Sequence, residues 1–300
     1  MNLFFLKHKA IDKALWDEKI RNARNSRIYA LSGWLDIASP NWRALVSENY
    51  DYIMPLTVKQ KFGVKYLIQP KFSQQTGIFY EKEIVPEITT RFLNAVSKKY
   101  SFVAVQLNSG NKISGKNISE KPDHILNLSA DFDNLRKSFS ENTKRNIKKA
   151  EKLLLVTNKN ISIEEAVLLK SRNNVNNLSN KDLTVLKNLI SFVQNKLKVK
   201  IYGIRNEKNE LISVSVFSFS NNRIYLPLIA SSEEGKKKFA SFQIFSTFIK
   251  DHAENDFMLD FEGSSIPGVA RFFEGWGAKP ESYYYYKQNN LPFFIKGLKK

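Results

Sequence analysis

The chain reads as an α/β protein with mixed sheets, arranged as two similar lobes. Three observations predict this. Strand-like and helix-like segments alternate along the whole chain. A 300-residue chain with 42% hydrophobic and 13% aromatic residues can fill two cores of ordinary size. One pattern also occurs twice. Residues 50–107 run strand, tight turn at Lys61–Gly63, strand YLIQP, polar loop, helix and strand FVAVQL. Residues 211–262 run strand, turn at Asn221–Asn222, strand IYLPLIA, polar loop, helix and strand FMLDFE. Each copy is a hairpin followed by a crossover helix and a further strand, the signature of an internal duplication. The expected lobes are residues 1–130 and 131–300.

In the first lobe, strands are expected at Arg27–Leu31, Tyr50–Val58, Val64–Gln69, Phe102–Leu107 and Ile125–Leu128, where apolar and β-branched residues run short. Helices are expected at Ala10–Ala23, Trp42–Ser47 and Pro86–Lys99. The last has proline in its first turn and Ile88, Phe92, Leu93 and Val96 on one face. In the second lobe, helical spacing marks Phe132–Phe139, Asn142–Leu153, Ile163–Asn173, Asp182–Lys198 and Lys238–Ala253. Strands are expected at Lys200–Arg205, Leu211–Ser220, Arg223–Ala230, Phe257–Phe261 and Glu281–Lys287, with the tyrosines 283–286 packed on both faces of the last. The basic tail Lys296–Lys300 reads as a disordered end.

Charge narrows the partners. The chain carries 47 basic against 29 acidic residues, a net charge of +18. Codon bias toward lysine and asparagine does not remove acidic residues, so the excess is either unspecific basicity or the mark of an anionic partner: nucleic acid, a phosphorylated ligand or an anionic membrane surface. There is no cysteine, which excludes disulfides, thiolate metal sites and cysteine nucleophiles. His8, His124 and His252 are isolated in sequence, so no metal site is expected. No GxSxG elbow, P-loop or post-strand GxGxxG is present. Lys7, His8 and Lys9 interrupt the first apolar run too early for a signal peptide, and no run reaches the ~20 apolar residues of a membrane span. A cytoplasmic protein without a transmembrane segment is expected.

Four stretches are candidates for chemistry. In FMLDFEGSSIPGVARFFEGWGAKP, from Phe257 to Pro280, an apolar strand ends at Asp260, Glu262 and Gly263, and a proline-led turn then carries Arg271. Polar groups and glycine at a strand's C-terminal end are where α/β proteins hold ligands; the same alternation also fits a strand with one wet face. The segment LRKSFSENTKRNIKKAEKLLLVTNK places Lys144, Arg145 and Lys148 on a basic helix face near a helix start, which is either an anion site or a solvated surface. Gln74 and Gln75, between Pro70 and Gly77, can orient an acyl or amide group or cap their own loop. Ser231 to Lys238 is a polar loop ahead of a long helix, with Gly235 and a run of three lysines.

The order of TKRNIKKA, a hairpin, LDFEGS and PGVARFFEGWGAKP resembles the FemAB-like branch of the GNAT acyltransferase superfamily, from about Arg27 to Tyr286. The stretch around Trp34-Leu35-Asp36, Trp42 and YLIQPKFSQQTGIF is similar to uncharacterised bacterial GNAT-like proteins. The resemblance implies two tandem GNAT-like lobes. It implies transfer of an acyl or aminoacyl group to an amine without a covalent enzyme intermediate, on a cell-envelope precursor or other anionic small molecule. It assigns Asp260 and Glu262 to polar or base roles, Lys144, Arg145 and Lys148 to anion contacts, and Arg271 to an acceptor carboxylate or phosphate. Its co-substrate is acyl-coenzyme A or aminoacyl-tRNA, with no tightly bound cofactor. Gly235, Lys236, Lys237 and Lys238 stand where GNAT proteins cradle a pyrophosphate, although the second glycine of that turn is missing and Glu233-Glu234 would repel phosphate. Asp182–Lys198 is too short for the coiled-coil arm that the family uses on tRNA. A non-catalytic GNAT-fold protein binding an anionic ligand, a basic RNA-binding protein and peripheral contact with a membrane are the alternative expectations.

Overall fold

The structure is a computed structural model that describes residues 1–61, 63–174, 177–263 and 267–292. The chain forms two compact units, one of residues 1–121 joined by the stretch from Ser282 onward, the other Pro122–Glu281. The division therefore falls a few residues before the expected 130/131, and the last strand goes to the first unit. The expected tail Lys296–Lys300 lies outside the described residues.

The first unit contains β1 (Leu3–Leu6), α1 (Lys13–Asn22), α2 (Ser32–Ala38), β2 (Arg43–Ser47), β3 (Tyr52–Leu56), β4 (Val58–Lys61), β5 (Val64–Ile68), β6 (Phe79–Tyr80), α3 (Pro86–Lys99) and β7 (Phe102–Leu107). Strands β1, β2, β3 and β6 form an antiparallel sheet in that order. The hairpin β4–β5 runs antiparallel, and β5 pairs with β7 in parallel after the α3 crossover. Phe92, Leu93 and Val96 of α3 are buried in a core with Leu67, Val103 and Val105.

Two short segments differ from expectation. Ile28–Ala30 is a 3₁₀ turn leading into α2, not a strand, and Arg43–Ser47 is a strand, not a helix. Both are brief, almost wholly buried apolar runs. Without a polar face they carry no period, and only the neighbours decide: β2 is clasped between β1 and β3.

The second unit contains most of β8 (Ile118–Asn127), then α4 (Phe132–Lys137), α5 (Glu141–Lys152), β9 (Thr157–Asn158), α6 (Ile163–Arg172), α7 (Asn180–Lys196), β10 (Lys198–Arg205), β11 (Leu211–Ser220), β12 (Arg223–Ser231), α8 (Glu233–Lys237), α9 (Ala240–His252), β13 (Met258–Asp260) and α10 (Pro267–Glu274). Its sheet runs β8-β13-β12-β11-β10-β9, antiparallel throughout except for the parallel pair β12–β13. Ile212 to Phe219 of the central strand β11 are all buried, as expected for a strand covered on both faces. One covering is an aromatic-rich core in which Phe217, Phe245, Phe248, Phe261, Phe273 and Trp276 pack together. Strand β14 (Lys279–Asn289) then leaves this unit, and Tyr284–Asn289 pair antiparallel with Leu107–Phe102 of β7 in the first. No helix among the described residues is long and apolar enough to cross a membrane.

The repeated sequence pattern is a repeated topology. β4–β5, α3, β7 and β11–β12, α8/α9, β13 are each an antiparallel hairpin, a helical crossover and a parallel partner for the hairpin's second strand.

Helix starts follow capping chemistry. Ser162 and Glu165 form a reciprocal capping box on α6, and Ser179 and Asp182 form one on α7. Glu165 also pairs with Arg205. That hydrogen bond, with those from Ser162, holds the Glu165 carboxyl at about 2 instead of 4.5. A depressed folded-state value adds stability in full above pH 4.5, and that stability is lost as the pH falls toward 2. In urea titrations across this range, the unfolding midpoint of the native chain should fall more steeply than that of Glu165→Gln.

Candidate active site

The second unit opens between its two parallel strands. β12 and β13 pair only from Arg223–Tyr225 to Met258–Asp260. β12 continues to Ser231, and its register against β11 slips between the Val216↔Leu228 and Ser218↔Tyr225 pairs, leaving Leu226 and Pro227 in a bulge. Proline has no N–H to donate to a neighbouring strand, so pairing with β13 cannot continue through it. Beyond the bulge the strands part around a cavity of about 600 Å³. Its walls are Leu226, Pro227, Ile229 and Ala230 of β12, Phe239 and Phe242 near the start of α9, and Phe272 and Phe273 of α10. Glu262, Gly263, Lys170 and Lys236 add polar groups to this apolar surround.

The turn that brings Glu262 to the cavity is tied to a buried ion cluster. Asp260 is 0% exposed, and Arg223 Nη1 donates to its Oδ2 at 2.8 Å. Arg223 Nη2 reaches Glu281 Oε1 at 3.3 Å. Asp123 is buried in the same cluster; desolvation first, and the Asp260 charge second, push its carboxyl well above the usual range. Asp260 Oδ1 accepts the Glu262 N–H at 2.8 Å. Glu262 and Gly263 both adopt positive φ, 56° and 33°, which folds the chain back at the strand end and brings both residues to the cavity. Asp260 does not line the cavity. Its carboxylate is committed to Arg223 and to the turn, so it positions Glu262 and is not placed to take a substrate proton.

Lys170 went unnoticed in the sequence. It lies on α6 with its Nζ donating to the Ile229 carbonyl at 3.2 Å, on the strand that borders the gap. Among the described residues no carboxylate pairs with it, and desolvation alone draws its ammonium below the ordinary lysine value. A signal was present: Ile163, Ala166 and Lys170 share one helix face, so a lysine stands in an apolar stripe.

The remaining sequence candidates are dispersed. Gly235 borders the cavity, but a Cβ there would lie 2.1 Å from the Ile212 carbonyl oxygen, so close packing on β11 accounts for the glycine. Lys236 pairs with Glu233 at 2.6 Å and Lys238 with Glu234 at 2.8 Å, while Lys237 does not line the cavity. Two of the three lysines are thus paired at the surface, and the glycine is accounted for by packing. Lys144, Arg145 and Lys148 lie on α5 along a separate groove of about 410 Å³, shared with Arg136, Lys137, Asp133 and Glu141. Arg271 is exposed, and its Nε donates to the Pro267 carbonyl.

Gln74 and Gln75 belong to the first unit. Gln75 is buried; its Oε1 accepts from Arg27 and from the Ser109 N–H, each at 3.2 Å. Gln75 in turn donates to Gln74 Oε1 at 3.1 Å. These residues belong to a segment that occupies the place where β5 and β7 would part. Thr76 bridges in parallel to Leu107, and Gln69 Oε1 accepts from the Gln106 N–H and the Thr76 hydroxyl. In this half the chain fills its own opening.

Known structures supply the comparison for this geometry. FemX superposes with a TM-score of 0.66 over 96% of this chain and 98% of its own, at 13% identity. The tandem GNAT protein from the clavulanic acid biosynthesis pathway gives 0.57 over 97% and 99%, at 11% identity. The C-terminal domain of a lysylphosphatidylglycerol synthetase from Agrobacterium fabrum gives 0.55 over 93% and 92%, at 8% identity. The chain has the tandem GNAT fold. No protein-family model matches the chain, and no curated protein matches it by sequence. The opening between β12 and β13 lies in the second unit, and in the first the Gln74–Thr76 segment stands at the corresponding place in the repeated topology.

Two stability experiments test this construction. Asp260→Asn leaves Arg223 without its nearest counter-charge, and loss of one partner of a buried pair costs roughly 3–5 kcal/mol. Thermal unfolding should show that loss as a clear fall in midpoint. Gly235→Ala should also destabilise, since the added methyl meets backbone and not a movable side chain.

Proposed function

We propose that the second unit is an acyl- or aminoacyl-transferase site that moves an acyl group from a donor to an amine. The observation that carries this reading is the parting of β12 and β13 around an apolar cavity with Glu262 and Lys170 on its walls. A strand paired on one side leaves alternate backbone groups facing the gap. N–H groups on β12 beyond Pro227 can then receive the oxyanion that forms at the donor carbonyl. The amine nitrogen attacks that carbonyl carbon, and the carbon–oxygen bond to the leaving group breaks as the amide forms. Glu262 takes the proton from the amine nitrogen and passes it to the leaving alkoxide as that group departs, which restores the carboxylate. No covalent bond to the protein is needed; the unit's contribution is placement of the two reactants.

Lys170 carries a cation with one backbone acceptor and, among the described residues, no carboxylate, a cost that a ligand's anionic group or the developing oxyanion would offset. This supports an anionic acceptor of the envelope-precursor class, as do the net charge of +18 and the fold shared with a protein named for lysylphosphatidylglycerol synthesis. The paired lysines and packed glycine of α8 favour an aminoacyl ester of tRNA over acyl-coenzyme A as donor.

The test is transfer from charged tRNA or from acyl-coenzyme A to a panel of phosphorylated and unphosphorylated amines. Transfer from charged tRNA is expected; absence of product with either donor overturns the reading. Glu262→Gln should lower kcat/KM about 100-fold, the usual scale for a lost general base. Lys170→Met should lower it about 100-fold as well, the scale of a lost oxyanion donor. Tight binding of anionic ligands without any transfer would instead identify a non-catalytic binding unit.

A further inference from the structure

Exposed large apolar residues of the second unit gather at the end of α5. Leu154 is 84% exposed, Val156 79% and Leu153 49%, while Leu155 between them packs against the core. Leu154 also has φ 53°, at the position after a helix end that glycine or asparagine ordinarily fills. A leucine here is both strained and wetted, and little among the described residues covers it. Such a combination marks a surface shaped for a partner.

The surroundings say which partner. Lys148, Lys149 and Lys152 are exposed on the last turns of α5, against Glu151 alone on that stretch. Lys159 follows, paired with Asp251 at 2.6 Å. Aliphatic side chains at a protruding tip with lysines behind them match the interface of an anionic bilayer, where apolar groups enter the acyl boundary and ammonium groups meet lipid phosphates. A single-stranded nucleic acid would call for aromatic stacking platforms, which this tip lacks. The tip is anchored on both sides, by α5 before it and by the pairing of Thr157–Asn158 with Gly203–Ile204 after it. Lys149 Nζ lies 4.8 Å from the ring of Phe239, which lines the cavity, so the helix that carries the tip touches one residue of the cavity wall.

We propose that residues 148–156 are a peripheral docking surface for an anionic lipid bilayer. Leu153, Leu154 and Val156 enter the headgroup–acyl boundary, and Lys148, Lys149 and Lys152 contact lipid phosphates. This does not depend on the transferase reading, since a binding-only unit would dock in the same way.

The experiment is co-sedimentation of the full chain with vesicles of equimolar phosphatidylglycerol and phosphatidylcholine, and with vesicles of phosphatidylcholine alone. Binding to the first, little binding to the second and release at high salt are expected. Leu154→Ser with Val156→Ser should reduce the bound fraction about tenfold or more without altering the circular dichroism spectrum. In Leu154→Trp, tryptophan emission should shift to the blue when the anionic vesicles are added. Absence of binding to the anionic vesicles, or binding indifferent to the serine pair, overturns the proposal. So does a dimer that the serine pair converts to monomer, or duplex RNA binding that the serine pair abolishes while vesicle binding is absent.

Discussion

The guanidinium of Arg223 is the group on which the second unit's site depends. Two carboxylates, from Asp260 and Glu281, pair with it from β13 and the start of β14, and the Asp123 carboxyl of β8 is buried in the same cluster. Buried charges persist only when paired, so this one side chain permits an acidic residue at the last paired position of β13. Asp260 then has an oxygen left to hold the Glu262 N–H. The turn that presents Glu262 and Gly263 is therefore specified by electrostatics beneath the site. Ordinary loop preference would not place glutamate at positive φ.

The two units show what one topology can do with the same opportunity. In both, a hairpin strand and a post-crossover strand run in parallel and then diverge, which leaves backbone groups needing partners. The first unit supplies them from its own chain, with Gln69 and Thr76 in the gap and Gln75 tied to Arg27 behind them. The second unit uses Pro227, which needs no donor partner, and lines the space with apolar side chains. One opening is sealed by polar side chains, the other kept open by an imino acid.

Much of the fold was legible because its repeat is written in order, hairpin then helix then strand, and order survives when individual boundaries drift. The errors fell on Arg27–Leu31 and Arg43–Ser47, where burial on all sides erases the periodicity that distinguishes helix from strand. For the site, the strand end at Glu262 and Gly263 and the turn at Gly235 and Lys236 could be seen, and they do border one cavity. The remainder could not be sorted by residue type. Asp260 looks like Glu262 on paper, and only the position of Arg223, 37 residues earlier in the chain, separates a buried counter-ion from a cavity-lining acid. Gln75 likewise reads as a ligand group until Arg27 is seen to claim it. Lys170 was readable in principle as a charge in an apolar stripe, yet its significance lies in Ile229, which no local pattern connects to it.

The route of β14 gives the chain an order of completion. The strand that pairs with β7 is made after every residue of Pro122–Glu281. During synthesis every residue of the second unit is available to fold while β7 still lacks its antiparallel partner. Parallel β5 on one side and the late antiparallel β14 on the other make the first unit the slower to mature, since its closing contacts are the most distant in sequence. A nascent or truncated chain lacking residues 284–289 would thus keep all of Pro122–Glu281 and the cavity between β12 and β13, while β7 stands without its antiparallel partner, so the quality control a cell applies to it would act on the first unit.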